Sequence, residues 1–437
     1  MNTAMNAYQD HFVEHAMQLP GFDSVSVRVS RQEAMQRFMQ SGFPTQRLEN
    51  WKHTSVTALW KRAYKPSEPG CMGLDPDDIT PYLADRRGVY RLVFVNGLFS
   101  RPLSDLHDLP VGVRVASMAQ LVNDSPCEVE PYLGNHTPGN DQGFSDLNHA
   151  LWGDGAFVHL PSGTRLEKPL HLLYLSTISR EPMVAMPRNV VVAGTDAHAQ
   201  IVESYASLGQ ARHFTNAHTT LVLGEKARVR HLLLLQESLV AHHVGTMRAT
   251  QMGDSCLDSQ LFSMGGELTR QELHVTLAGE RAECSLDGLF IAGGGQHMDF
   301  HTSMHHTSPD TWSRQLYKGV LDGNARGVFN GVVRVPPGIH HTRSNQTSAN
   351  LLLSDTAEID TKPQLEINTD AVQCSHGATV GSLDPEALFY LQSRGLNVTS
   401  ARLLLIKGFA EEVLQRVKPT LLQAWVGQSL NLGVKQS

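Results

Sequence analysis

Cysteine is scarce in this chain: five in 437 residues (Cys71, Cys127, Cys256, Cys284 and Cys374), and none stands in a C-x-x-C pair. So odd and scattered a set excludes a disulfide framework and a self-contained zinc ribbon. Charge of one sign is equally thin. The chain holds 36 basic and 43 acidic residues, a net charge of −7, and no Lys/Arg run that could neutralise a line of phosphates. Nucleic acid is excluded as a partner. No apolar run approaches the roughly 18 residues of a membrane span. The start, "MNTAMNAYQDHFVEHAMQLPG", carries acids and histidines where an export signal needs a basic stretch and then an apolar one. The expectation is a cytoplasmic protein with no membrane partner. Also missing are a G-x-x-x-x-G-K-[ST] phosphate loop, H-E-x-x-H, G-x-S-x-G and G-x-G-x-x-G, so no standard enzyme signature is present.

What remains is ordinary globular material, 41% hydrophobic and 18% charged, with an unusual 22 histidines. Three regions follow. Residues 1–85 read as a helical domain: "SRQEAMQRFMQSG" offers a capping box at Ser30 and Glu33, apolar Ala34, Met35, Phe38 and Met39, and a stop at Gly42. "FPTQRLENWKHTSVTALWKRAY" then reads as a turn and more helix before the linker "KPSEPGCMGLDPDD". Residues 86–382 switch to short β-type runs such as "VYRLVFVNG" and "VRHLLLLQES", with no long helical period.

Within that middle region a turn phrase recurs at Gly194, Gly224, Gly253 and Gly279, each followed three residues later by a small residue (Ala197, Ala227, Cys256, Ala282). A repeat of this length built from strands and turns predicts stacked coils. Ala282, Cys284 and Leu286 should face inward, and Glu283, Ser285 and Asp287 outward. The reading is a mainly β fold with a parallel β-helix core; a β-sandwich is the runner-up. Residues 383–437 return to helix. Asp384 and Pro385 start one that stops at Gly395, a second spans Thr399 to Gly408, and a third runs from about Ala410 to Val417. Helices this short need a surface to dock on.

Chemistry concentrates at "AVQCSHG". Cys374 and His376 are two apart on a strand, so both side chains leave one face with Cα atoms roughly 7 Å apart. A thiolate with an imidazole suits iron, zinc or an iron–sulfur species, and two ligands half fill a tetrahedral centre. From spacing alone the simpler reading is packing, a buried thiol and a hydrogen-bonded imidazole capping the stack. In "QHMDFHTSMHHTSPD", His297, His301 and His305 share a face with Asp299; core or groove histidines are the simpler reading of these, of His306, and of His340 and His341. Cys256 and Cys284 sit at small-residue positions, and Cys71 and Cys127 have no visible partner.

"VQCSHGATVGSLDPEALFYLQSRGL" and "SARLLLIKGFAEEVL" resemble the carboxyl-terminal signature of the SufB/SufD family of the SUF iron–sulfur cluster assembly system. "DFHTSMHHTSPDTWSRQLYKGVLDGNARGVFNGVVRV", "NLLLSDTAEIDTKPQLEI" and "GFPTQRLENWKHTSVTAL" resemble the same family. The CSHG form resembles the SufD-type branch. SufB-type members carry glutamates around that histidine and an upstream cysteine, where this chain has Ala357.

The resemblance implies a right-handed parallel β-helix between two helical domains and a non-catalytic scaffold with no stably bound cofactor of its own. It also implies pairing with SufB through the β-helix end, and docking of the ATPase SufC on the carboxyl-terminal helices, at Phe389, Tyr390, Arg394, Gly408 and Phe409. Cys374 and His376 become candidate transient ligands for iron or a nascent cluster at the SufB interface; the same end could support a homodimer when SufB is absent. A reading from another class is a carbohydrate-active β-helix enzyme of the polysaccharide-lyase kind.

Overall fold

Alternation of inward and outward side chains is the organising fact of the middle of the chain. In the computed structural model, which describes residues 3–62, 64–67, 73–85, 88–134 and 142–430, the chain winds from Tyr90 to Gly381 as coils that give one strand to each of two sheets. Strands of successive coils lie parallel, as in Arg228–Gln236 between His198–Ser207 and Cys256–Ser263. Among the described residues the antiparallel strand pairs lie at the start, where Arg114–Ser117 meets Ala156–Leu160 and Tyr90–Val95 meets Leu98–Phe99. Among the described residues this is a parallel β-helix, and the β-sandwich alternative falls with the parallel registers.

The first sheet ends on Glu358–Ile367 and the second on Val372–Gly381. Between them the lumen is filled by inward residues such as Leu233, Leu261, Cys284, Leu286, Phe290, Phe300 and Phe329, all buried. Each such Leu or Phe contributes about 1.5–3 kcal/mol by leaving water. Cys284 is packing, as read.

The recurring turn is a corner with its own chemistry. Asp196, Lys226, Asp254, Arg281, Asp310 and His341 all take positive φ, between 54° and 59°. Each is followed by a small buried residue: Ala197, Ala227, Ser255, Ala282, Thr311 and Thr342. This corrects one assignment. Asp254 follows Gly253 directly, so Ser255 takes the stacking position and half-buried Cys256 begins the strand, between Arg228 and Glu283. Asp287 is a second correction: it faces outward but is buried, because the carboxyl-terminal helices cover it.

Nine α-helices flank the coils among the described residues: α1 (Thr3–His15), α2 (Val25–Ser41), α3 (Thr57–Lys61), α4 (Met118–Asp124), α5 (Pro126–Leu133), α6 (Gly143–Leu151), α7 (Pro385–Ser393), α8 (Val398–Leu414) and α9 (Thr420–Ser429). α2 starts a turn and a half before the expected Ser30. Ser24 is its cap, while Ser30 lies inside it and hydrogen-bonds His149 at 2.5 Å. Gly42 does stop it, at φ 67°.

α4 to α6 interrupt the range read as strands. α6 is buried on nearly every side, its polar Asp146, Asn148 and His149 as well as the apolar Phe144, Leu147 and Leu151. A Cβ on Gly143 would lie 2.1 Å from the carbonyl of Gly42, so only glycine permits this approach of α6 to α2. Arg31 ties the two helices by donating to the carbonyls of Ala150 and Trp152. These helices cover the outer face of the first sheet, with Trp51, Phe38 and Phe144 against Phe214, Val244 and Leu268. Cys71 lies outside the described residues, and Cys127 is an exposed free thiol.

At the carboxyl end Asp384 caps α7 and Gly395, at φ 92°, follows it, as expected. The next two helices differ from expectation. α8 is capped by Asn397, not Thr399, and runs through Gly408 without a break; α9 begins beyond Val417. Both dock on the chain itself. Ala410, Val413, Leu422, Trp425 and Val426 bury Leu232, Leu234, Phe262, Leu289 and Leu316 on the outer face of the second sheet.

Candidate functional site

The last coil leaves an open cross-section. Its two strands, Glu358–Ile367 and Val372–Gly381, are each paired on one side only among the described residues. The two free edges differ in kind. Glu358–Ile367 carries Glu358, Asp360, Lys362 and Glu366 with Pro363 among them. Its charges are engaged: Lys362 pairs with Glu49 at 2.6 Å, Glu358 with Arg326 at 2.6 Å and Glu366 with Arg334 at 2.7 Å. Charge and proline are the usual guards against strand addition. Val372–Gly381, "VQCSHGATVG", has no Asp, Glu, Lys, Arg or Pro, and nearly all of it is exposed. It is an unguarded ten-residue edge.

Cys374 and His376 stand on that edge. Register places Cys374 on Ser344 and His376 on Gln346, both inward-facing positions, so the two donors share the mouth of the lumen. Cys374 is half-buried against the core, and His376 is exposed. Burial pushes the Cys374 thiol up, against a lowering backbone hydrogen bond from Ser344. Burial thus favours the neutral thiol. A shallow depression of about 300 Å³ is lined by Cys374 together with Trp312, Arg343, Asn345, Gln373 and Ser375, residues of the outer face. Among the described residues no group of three or more His, Cys, Asp and Glu side chains could hold a metal ion. Two soft donors at an open rim can contribute to a centre but not complete one.

The histidine-rich stretch is occupied elsewhere. His297 hydrogen-bonds Thr54 at 2.8 Å, and His301 meets Asp299 at 2.8 Å. Asp299 is held well below the usual carboxylate range by Arg270 and His301, against its burial, and the Arg270 guanidinium lies 3.7 Å from the centre of the Trp51 ring. His306 hydrogen-bonds Thr311 and Ser313 inside the lumen, and His341 pairs with Asp310 at 3.2 Å.

The five candidate docking residues fall into two groups. Phe389 (72% exposed) and Tyr390 (56%) present bare rings on α7, with Arg394 over Tyr390 at 5.2 Å, and Gly408 has open space above it. Phe409 instead turns to the β-helix, packing near Val320, Leu351 and Ile406 under the ammonium of Lys318. Ala357 is buried in the core.

The sequence reading missed the layer beneath the two donors: Ser313, Gln315, Ser344, Gln346 and Ser348, all buried and inward. The signal was present. "TRSNQTSANLL" (Thr342–Leu352) is polar on both alternating faces, which in a coil means a polar lumen.

Comparison with known proteins follows the same lines. A family model described as the SufBD core domain of SUF system FeS cluster assembly matches residues 176–409, and one for the SufBD protein N-terminal region matches residues 2–172. An iron–sulfur cluster assembly SufBD family protein of Synechocystis sp. is 34% identical over 426 residues, 96% of this chain and 93% of that one. The iron–sulfur cluster assembly protein SufD of Escherichia coli is 30% identical over 417 residues, 92% and 93% of the two chains. A SufBD family protein of Staphylococcus saprophyticus is 27% identical over 281 residues, 64% and 60% of the two.

Proposed function

The chain belongs to the SufBD family of iron–sulfur cluster assembly proteins, and on that premise we propose that it is a non-catalytic cytoplasmic scaffold subunit that pairs with SufB and docks the ATPase SufC. One observation carries the reading: the uncharged terminal strand holds a thiol and an imidazole that no further ligand joins among the described residues. A strand from SufB adding to this edge would satisfy its backbone groups and bring the missing donors. Iron or a nascent cluster is then cargo, held between the subunits by Cys374, His376 and SufB groups. Ala357, buried and without a thiol, supports the division of labour, since this chain does not supply the upstream cysteine of SufB-type members.

The rings of Phe389 and Tyr390 beside Arg394 form the face offered to SufC, with Gly408 on the neighbouring helix. Phe409 fastens α8 to the second sheet, so that ATP-driven closure of SufC pulls on the strands behind it. Co-expression with SufB and SufC tests the reading. A single species on gel filtration is expected, its iron lost in His376→Ala; three separate species would overturn it.

A further inference from the structure

The lumen changes character over its last coils. In the strand Glu283–Ala292 the inward positions hold Cys284, Leu286 and Phe290. In the next two strands of the second sheet they begin with Ser313 and Gln315, ahead of Tyr317 and Leu321, and then with Ser344, Gln346 and Ser348, the five polar residues each at most 4% exposed. Buried amides and hydroxyls need partners. Most have them: His306 hydrogen-bonds Ser313, Ser313 hydrogen-bonds Ser344 at 2.8 Å, and Gln315 Oε1 accepts from Thr302 at 2.6 Å and from Gln346 Nε2 at 3.2 Å.

Gln346 Oε1 is buried with no partner. It belongs to the last layer beneath the rim, in register with His376. The first sheet makes room for this amide: a Cβ on Gly331 would lie 1.9 Å from Gln346 Nε2.

We infer that Gln346 is a positioning residue for His376: its buried carbonyl accepts one ring N–H of the imidazole, which fixes the tautomer and turns the other ring nitrogen toward the open end. An imidazole ligand needs an unprotonated, aimed nitrogen, and in the neutral ring an acceptor on the opposite nitrogen decides which nitrogen is bare and holds the ring in place. His376 is exposed, so rotation about its side-chain bonds is free to seat the ring on the layer beneath. The inference rests on the reading of His376 as a donor to iron, but the bond itself is a property of this chain.

The test uses the full-length chain labelled with 15N-histidine, the His376 signal being the one lost in His376→Ala. One neutral tautomer should predominate in the wild type. Gln346→Met, which keeps the shape and removes the acceptor, should give a mixture, and Gln346→Glu, which restores an acceptor oxygen, a single form. In the complex with SufB and SufC, Gln346→Met should weaken iron retention by about 10- to 100-fold. Mixed tautomers in the wild type, which need no variant of Gln346, overturn the inference. So does wild-type tautomer and iron in Gln346→Met. Iron unaffected by His376→Ala overturns the scaffold reading instead, while the tautomer measurement, made without iron, still judges Gln346.

Discussion

Asp287, outward on the second sheet, meets Arg314 at 3.0 Å and Arg416, just beyond α8, at 3.5 Å, joining the β-helix to its carboxyl-terminal helices under a fully buried carboxylate. Burial pushes Asp287 up to about 7, with Arg314 opposing. A carboxyl raised in the folded state binds a proton that the unfolded chain has already released above about pH 4. Folding stability therefore falls as pH rises from about 4 to 7, by at most about 1.4 kcal/mol per pH unit from this group. Urea midpoints between pH 5 and 8 should show the decline in the wild type and a flatter profile in Asp287→Asn.

The two donors at the rim should separate folding from cargo. His376 is exposed and Cys374 half-buried, so His376→Ala should change stability by less than about 0.5 kcal/mol and Cys374→Ser by about 1 kcal/mol. Iron analysis of the co-expressed complex checks their roles: loss in both variants identifies two ligands, and loss in His376→Ala alone assigns Cys374 to packing.

The two edges of the last coil should respond differently to added charge. Thr379→Lys places an ammonium on the unguarded strand and should abolish co-elution with SufB while leaving the melting temperature unchanged. Gln364→Lys, on the strand that already carries Lys362 and Glu366, should leave co-elution intact.

Phe389 and Phe409 are both phenylalanines near the end of the chain, with opposite expected phenotypes. Phe389→Asp, at a bare ring, should remove SufC from the complex without loss of stability. Phe409→Ala should cost about 2 kcal/mol, below the roughly 3–5 of a fully buried ring, measurable by denaturant unfolding of the chain alone.

The coils were legible because a buried face and a wet face alternate along each strand, and because the corners repeat. Cys256 shows the limit: one residue less in the turn at Gly253 moved the stacking position to Ser255, a slip that local composition does not reveal. α6 carries Phe144, Leu147 and Leu151 at helical spacing, but its nine residues are too short a run to stand out from the β-type segments around it. Gly408 was misread as a stop because glycine ends helices more often than it sits inside them, and here the packing of Ile406 and Ala410 carries α8 through. Cys374 and His376 stood out by residue type. Gln346 did not, because its meaning lies in a register with a residue one coil away.

α8 and α9 lie on the back of the same sheet whose final strand is free of charge and proline. Load applied to those helices thus travels crosswise through one hydrogen-bonded stack and arrives at the seam where a second subunit would be stitched. The guarded sheet opposite stays outside that path, so such a joint would open like a door hung on a single side.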